Sequence, residues 1–331
     1  MADSLHMTRV PNQFHFIFGL RPQTEPFHLM YYLCLKSCIA VNRPERVVFH
    51  CLHEPWGPYW DRIRPALDVR SIEANETISA FAYADPAMER YRYAHLADIA
   101  RLNVLITQGG IYADIDTLFV APVPREFFDR SCTLGTERAD WRQAAIRSAG
   151  GSLCNAWIMA EPDAPFLTLW RDAFWSGFDG SWSAHSTALP YRLSREHPDT
   201  ITIEAARSFF HFDWTASGIR SLFEQKKILP QGVYSLHLWE HLWWDSARRD
   251  MSCFHAGRLT PAYVRHANTT YATYARRHLP EDARGQDEAT WRRERTLLRR
   301  ENMRWAISDA PRKAARSLMA RMTVPPACRD G

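Results

Sequence analysis

The first 52 residues alternate between short and long apolar segments, and this alternation constrains the fold more than any other feature. A short run, Phe14–Gly19, ends at a glycine and precedes a longer, nearly uncharged segment over Phe27–Val41. After a break at Asn42–Pro44, a second short run follows at Arg46–Leu52. Short apolar runs bounded by turn residues predict buried strands, and the longer run predicts a helix. Strand, helix and strand in this order predict a parallel α/β sheet.

The charge of the chain is small overall but unevenly distributed. The 331 residues carry a net charge of +4, and 46% of them are hydrophobic, which predicts a globular protein and gives no indication of nucleic-acid binding. From Trp291 to Gly331 there are eleven Lys plus Arg and four Asp plus Glu, a local charge of +7. The remainder therefore carries 4 − 7 = −3, so the basic character belongs to the C-terminal part.

Cysteine usage bears on the cellular compartment. The seven cysteines include no CxxC pair, so the sequence predicts neither a disulfide framework nor a structural zinc site. We therefore expect reduced thiols and a cytoplasmic protein. The N-terminus lacks a basic stretch before an apolar core, and no run of about 18 uncharged apolar residues occurs. We expect neither secretion nor membrane spanning.

A helix followed at once by an acidic strand is the most informative local pattern. Asp85–Pro86 provides an N-cap and a proline at the first helical position, and Gly109–Gly110 ends the apolar periodicity. The run Ile111–Val120 then predicts a strand. Alternation along this strand places three polar side chains on one side: Tyr112, Asp114 and Asp116.

Two carboxylates two residues apart at the end of a sheet strand converge on one point. Hard cations such as Mg²⁺ and Mn²⁺ prefer such ligands and commonly share them with phosphate oxygens. Asp114 and Asp116 are thus candidates for holding a metal–diphosphate group, although two solvated acids would give the same pattern. Asp98 and Arg101 share a face of the preceding helix. They are either a polar pair beside this site or an intrahelical salt bridge.

The segment AHLADIARLNVLITQGGIYADIDTLF, residues 94–119, resembles the DxD-containing sugar-binding region of GT-A glycosyltransferases. That group includes capsular and mannan-type transferases, lactosylceramide α-galactosyltransferases and the glucosylating domains of clostridial toxins. The resemblance implies an α/β fold with a GT-A-like central sheet flanked by helices over residues 8–270. Residues 271–331 would form an Arg-rich, basic helical tail.

The resemblance also implies roles for the residues of this segment. Asp116 would be a direct metal ligand, and Asp114 would contact the metal and the ribose or sugar of the donor. Asp98 and Arg101 would hold donor sugar hydroxyls, and Tyr112 would support that pocket. The implied cofactors are Mn²⁺ or Mg²⁺ and a nucleotide-sugar donor, with a UDP-sugar favoured.

Two further segments are similar to the family. Val10–Gly19 resembles its first strand, which implies that Ile17 and Phe18 lie near the nucleotide base, with Phe18 in place of the usual Trp. Cys154–Pro162 resembles a segment whose Asn, here Asn155, approaches the sugar.

The segment Ser235–Glu240 admits two interpretations. It resembles the C-terminal HxW element of the family, which implies that His237 reaches the metal and Trp239 the diphosphate. It also begins an H-x-x-E-H pattern with Glu240 and His241, typical of zinc peptidases. That mechanism needs both histidines on one helix, and Gly232 with the run that follows it argues against a helix here.

The resemblance implies a metal-dependent, retaining hexosyltransferase that moves a sugar from a nucleotide diphosphate to a hydroxyl of a glycan or glycolipid. We expect the acceptor to belong to bacterial envelope polysaccharide synthesis. A non-catalytic carbohydrate- or metal-binding module is the alternative.

Residues 311–322 combine basic residues with an apolar stripe, which predicts peripheral contact with an anionic membrane at its inner face. Docking of this segment against the catalytic domain is equally open. The stripe consists of Ala315, Leu318, Met319 and Met322.

Overall fold

The chain forms two units. The structure, a computed structural model, describes residues 8–72, 81–83, 85–248 and 250–322, with side chains described up to residue 308. The first unit comprises residues 1–214 and 227–239, and the second comprises residues 215–226 and 240–331. The sequence-predicted boundary near residue 270 stays a prediction.

The described secondary structure alternates strands and helices in the first unit and is helical in the second. The strands are β1 Gln13–Ile17, β2 Arg46–Cys51, β3 Asp68–Ser71, β4 Gly110–Ala113, β5 Thr117–Phe119, β6 Cys132–Thr136, β7 Leu153–Ala160, β8 Thr202–Glu204 and β9 Ser235–His237. The α-helices are α1 Leu29–Asn42, α2 Pro58–Ile63, α3 Arg92–Gln108, α4 Ala144–Ala149, α5 Pro165–Gly177, α6 Leu189–Glu196, α7 Ala206–Phe209, α8 Ala216–Phe223, α9 Pro261–His266, α10 Thr270–Ala275 and α11 Glu288–Met322.

A seven-stranded sheet in the order β3-β2-β1-β4-β7-β6-β8 organises the first unit. Strands β3, β2, β1 and β4 are parallel, and β7 runs antiparallel to both of its neighbours, β4 and β6. Strand β6 therefore runs in the same direction as β4, so the carboxyl ends of β1, β4 and β6 meet at one edge. In open α/β sheets that edge binds ligands.

The predicted α/β class, with a central sheet flanked by helices, is confirmed, and the likeness of this sheet to the GT-A fold stays a prediction. Each N-terminal element lies where the apolar pattern predicted it, as β1, α1 and β2. Helices α3 and α5 cover one side of the sheet and share a core in which Leu102, Leu105 and Trp170 are at most 1% exposed. Helix α1 is buried on most of its surface, which explains why its sequence is nearly uncharged.

Two predicted boundaries need correction. The residues from Pro86 to Tyr91 form a 3₁₀ turn, capped by the Asp85 side chain, and the α-helix begins only at Arg92. The strand expected over residues 111–120 is wrong as a single strand. Strand β4 ends at Ala113, the amide of Thr117 donates to the carbonyl of Asp114 at 3.0 Å in a turn, and β5 pairs with β9 in a separate two-stranded sheet.

The second unit is built from short helices and the long helix α11. No described helix combines the length and the apolar composition needed to cross a bilayer. Helix α11 extends to Met322, but the side chains of the predicted stripe over 311–322 lie outside the described residues. Its membrane role therefore stays a prediction.

Candidate active site

The glycine pair at the end of α3 brings the helix directly into the acidic segment. Gly109 and Gly110 have φ angles of 62° and 103°. A Cβ on Gly110 would lie 2.6 Å from the carbonyl oxygen of Gln13, and one on Gly109 would lie 2.8 Å from the backbone nitrogen of Pro162. Only glycine fits this close approach of backbones.

Three potential metal ligands converge beyond β4. Asp114, Asp116 and His237 each offer a ligand atom, and these atoms lie within 4.8 Å of one another. The pairing of β5 with β9 produces this convergence, because it sets Thr117 opposite His237. The amide of Leu238 also donates to the carbonyl oxygen of Asp116 at 3.0 Å.

His237 is 5% exposed and faces both carboxylates. Its Nε2 lies 3.3 Å from Asp116 Oδ1 and 3.5 Å from Asp114 Oδ2, yet neither ring nitrogen makes a hydrogen bond to a described residue. Burial opposes protonation of the imidazole, but the carboxylates of Asp116 and Asp114 outweigh it and raise its pKa to about 10. The site thus favours positive charge at this point. Two carboxylates and an imidazole suit Mn²⁺ or a similar divalent cation.

A buried polar cluster adjoins the acidic turn. Asp98 and Arg101, 8% and 5% exposed, pair at 3.0 Å between Oδ1 and Nη2. Asn155 donates from Nδ2 to the same Oδ1 at 2.7 Å, and its carbonyl accepts from Arg101 Nη1, also at 2.7 Å. The pair is therefore more than an intrahelical salt bridge, because it ties α3 to β7.

Arg101 and Tyr112 connect this polar cluster to Asp114. The Tyr112 hydroxyl donates to Asp114 Oδ1 at 2.6 Å, and Arg101 Nη1 lies 3.2 Å from the same oxygen. The guanidinium also lies 4.5 Å from the centre of the Tyr112 ring. Burial disfavours the ionised Asp114, but the charge of Arg101 and the contact with His237 hold the pKa of that carboxyl well below its usual range.

The remaining residues predicted to contact the nucleotide pack against aromatic or apolar side chains. Phe18 is half-buried, with its ring centre 4.9 Å from that of Tyr31, whereas Ile17 is 6% exposed. Trp239 is 5% exposed, sits edge-on to His237 with ring centres 4.2 Å apart, and donates from Nε1 to the carbonyl of Phe212 at 2.9 Å. Their contacts with a nucleotide stay predictions.

The sequence analysis missed His185. This residue is fully buried in a π-helical turn, Ala184–Ala188, and its Nε2 lies 3.0 Å from Asp98 Oδ2, so the imidazole holds the second oxygen of that carboxylate. Trp170 fixes the turn by donating to the carbonyl of His185 at 2.9 Å. A lone histidine 87 positions from its partner carries no spacing signal.

Glu137 was also missed. It directly follows β6, at the same sheet edge as Asp114, and accepts a hydrogen bond from the Ser152 hydroxyl. Burial raises the pKa of this carboxyl, and it forms no ion pair with any residue in the described part of the chain. The rule that strand-end acids gather at one edge would have indicated it.

The local structure does not fit the H-x-x-E-H interpretation. His237 ends a strand, whereas Glu240 and His241 lie in a separate 3₁₀ turn. Trp239 between them has a φ of 56°, which an α-helix excludes. The helical turn that would hold two histidines on one face is therefore interrupted.

Comparison with known proteins agrees with this geometry. Residues 34–134 match a family described as the glycosyltransferase sugar-binding region containing the DXD motif. The chain is 33% identical over 243 residues to glucan organizing enzyme 1 of Cryptococcus neoformans, covering 70% of this chain but only 63% of that relative.

Two solved structures are also similar. The galactosyltransferase LgtC, in complex with donor and acceptor sugar analogs, has a TM-score of 0.40 and 14% identity, with 85% of this chain and 99% of that chain covered. The PaToxG glycosyltransferase has a TM-score of 0.37 and 18% identity, with 57% of this chain and 70% of that chain covered.

Proposed function

We propose that this chain, which carries the DXD-containing sugar-binding region of a glycosyltransferase family, transfers a sugar from a nucleotide diphosphate donor to a hydroxyl acceptor. The observation that carries the proposal is the convergence of Asp114, Asp116 and His237 next to the buried Asp98–Arg101 pair. The first group suits a cation with its diphosphate, and the second offers the charged hydrogen-bonding groups that sugar hydroxyls require.

Each residue has a role in this proposal. Asp114, Asp116 and His237 hold a divalent cation, which neutralises charge on the departing diphosphate. Asp98 and Arg101 orient the donor sugar, with Asn155 fixing the carboxylate between them. Other groups enclose the site: Tyr112 supports the pocket, Phe18 and Ile17 lie towards the base, and Trp239 excludes water from the diphosphate.

The finer assignment extends this proposal. We favour Mn²⁺ or Mg²⁺, a UDP-sugar donor, transfer of a hexose with retention, and a glycan or glycolipid acceptor of a bacterial envelope. The name of the Cryptococcus relative supports a polysaccharide acceptor. A cytoplasmic location and peripheral membrane contact through residues 311–322 belong to the same proposal.

Hydrolysis of the donor tests the proposal without a known acceptor, because water takes the place of the acceptor hydroxyl. We expect the purified chain to hydrolyse a UDP-sugar with Mn²⁺ and to lose this activity with EDTA. Asp116→Asn should lower the rate by about 100-fold or more, because it removes carboxylate charge from the cation site. Asp129→Asn, an exposed acid on the same unit, is the matched control.

The results separate the alternatives. Binding of nucleotide sugars without hydrolysis of any UDP- or GDP-sugar would favour the non-catalytic module. Retention predicts that NMR of an α-linked donor shows the α-anomer of the released sugar first. Initial release of the β-anomer would contradict retention and leave the transferase proposal intact.

A further inference from the structure

Helix α11 has two different faces over residues 288–308. Its inner face contains half-buried Trp291 and Leu298 and lies against α9, where the rings of Trp291 and Tyr263 are 6.3 Å apart. Glu294 accepts a hydrogen bond from Thr260 at 2.5 Å on this face. This part of the helix is therefore docked within the second unit.

The outer face combines exposed arginines with exposed apolar side chains. Four arginines on it are exposed and form no ion pair or hydrogen bond with any side chain described up to residue 308: Arg295, Arg299, Arg300 and Arg304. Met303 and Ile307, 63% and 69% exposed, lie one turn apart among Arg299, Arg300 and Arg304, and Leu297, 48% exposed, lies at the edge of this face.

Acidic residues are absent from the outer face over residues 289–308. The two acids in this interval, Glu294 and Glu301, point to the other side, where Glu301 pairs with Arg258 at 2.5 Å. Arg292 alone among the outward arginines pairs with an acid, Glu288, one turn earlier. Over residues 289–308 the described outer face therefore carries positive charge without a neighbouring acid, and Glu288 lies beside Arg292 at the start of the helix.

We propose that this outer face of α11 lies on an anionic phospholipid surface. Guanidinium groups bind lipid phosphates through paired hydrogen bonds, and Leu297, Met303 and Ile307 enter the boundary between headgroups and acyl chains. A nucleic acid would satisfy the arginines but would leave three exposed apolar side chains without a partner. The inference rests on the second unit alone and does not depend on the proposed activity.

Vesicle flotation of the full chain tests the proposal. We expect binding to vesicles of phosphatidylcholine with about one third phosphatidylglycerol, and little binding to phosphatidylcholine alone. Each arginine near such a surface contributes about fivefold to partitioning, so the combined Arg299→Gln, Arg300→Gln and Arg304→Gln variant should bind about 100-fold more weakly. Met303→Ser with Ile307→Ser should also weaken binding, and this loss should persist at high salt.

A matched control removes the same charge elsewhere. Arg125→Gln, Arg192→Gln and Arg195→Gln change three exposed arginines of the first unit and should float as the wild type does. Circular dichroism melts of all variants verify folding, so a variant that melts early is replaced by its single substitutions. Unchanged flotation of the folded outer-face variant would overturn the proposal. Binding of duplex RNA or DNA without binding of anionic vesicles would overturn it as well.

Discussion

The two carboxylate oxygens of Asp114 have different neighbours. Oδ1 accepts from the Tyr112 hydroxyl and lies 3.2 Å from Arg101, whereas Oδ2 faces His237 at 3.5 Å. Asp116 shares the contact with His237, because its Oδ1 lies 3.3 Å from His237 Nε2. Asp114 therefore connects the candidate cation site to the buried polar cluster of Asp98 and Arg101.

His237 and His241 separate the transferase from the zinc-peptidase interpretation. His237→Ala removes a ligand atom from the cation site, so we expect Mn²⁺ to be needed at concentrations at least tenfold higher for donor hydrolysis. His241→Ala and Glu240→Gln should leave the rate within a few-fold. The measurement is hydrolysis rate against Mn²⁺ concentration. Stoichiometric zinc in the purified protein, lost with all activity on His241→Ala, would contradict the transferase.

His185 positions Asp98 rather than the cation. His185→Ala leaves Asp98 Oδ2 without its donor, so we expect KM for the donor sugar to rise by about tenfold, the effect of losing a charge-assisted hydrogen bond. The Mn²⁺ dependence should not change, because no cation ligand is altered. His185→Gln, which offers an amide donor, should recover part of the loss. An equal shift in Mn²⁺ dependence would show a general disturbance of the site instead.

The elements that the sequence predicted well are those fixed by local chemistry. The double glycine ended α3 as expected, since Gly109 has a backbone that other residues adopt only with strain. The break between β4 and β5 was not predictable, because its cause is the pairing of β5 with β9, far along the chain. A strand of three residues such as β9 has no periodicity long enough to detect.

Gly110 shows how tightly the junction between α3 and β4 is built. Gly110→Ala meets both a positive φ and the Gln13 carbonyl, so we expect a loss of about 3 kcal/mol or more in the free energy of unfolding. Gly150→Ala is the control, because its φ is 80° but nothing lies within 4 Å of the added Cβ. That variant should lose only about 1 kcal/mol. Urea unfolding measures the free energy of unfolding of both variants. Equal losses would show that the positive φ, and not the contact with the Gln13 carbonyl, determines the cost of the added Cβ.

For the whole molecule, the contacts that the sequence did not predict are those between residues far apart in the chain. The sequence placed Asp98, Arg101, Asp114 and Asp116 together because a single helix and the segment after it carry all four. The family resemblance indicated Asn155, but the sequence could not show that Asn155 and His185 both bind Asp98, since they come from β7 and a π-helical turn. Such contacts follow from strand order, which local patterns do not encode.

A buried histidine pair joins β1, β2 and the α3–β4 junction. His15 and His50 are 0% and 4% exposed, with His15 Nδ1 3.1 Å from His50 Nε2. His15 Nε2 donates to the carbonyl of Gly109 at 3.0 Å, so Nδ1 accepts the proton of His50. Burial is the main reason that the pKa of His15 falls to about 3 and that of His50 to about 4, reinforced by the Arg70 charge.

These depressed pKa values make the folded chain sensitive to acid. Between pH 6.5 and about 4, His15 and His50 are protonated in the unfolded chain but remain neutral in the folded chain. The free energy of unfolding therefore falls as the pH falls. Each should contribute a loss of about 2 kcal/mol by pH 5. In His15→Gln the side chain retains a donor and an acceptor but does not titrate. The free energy of unfolding should therefore fall by about 2 kcal/mol less between pH 7 and pH 5 than in the wild type. Urea unfolding at both pH values measures the difference, and the other histidines cancel because they titrate in both proteins. An equal loss in both would show that His15 is protonated in the folded state.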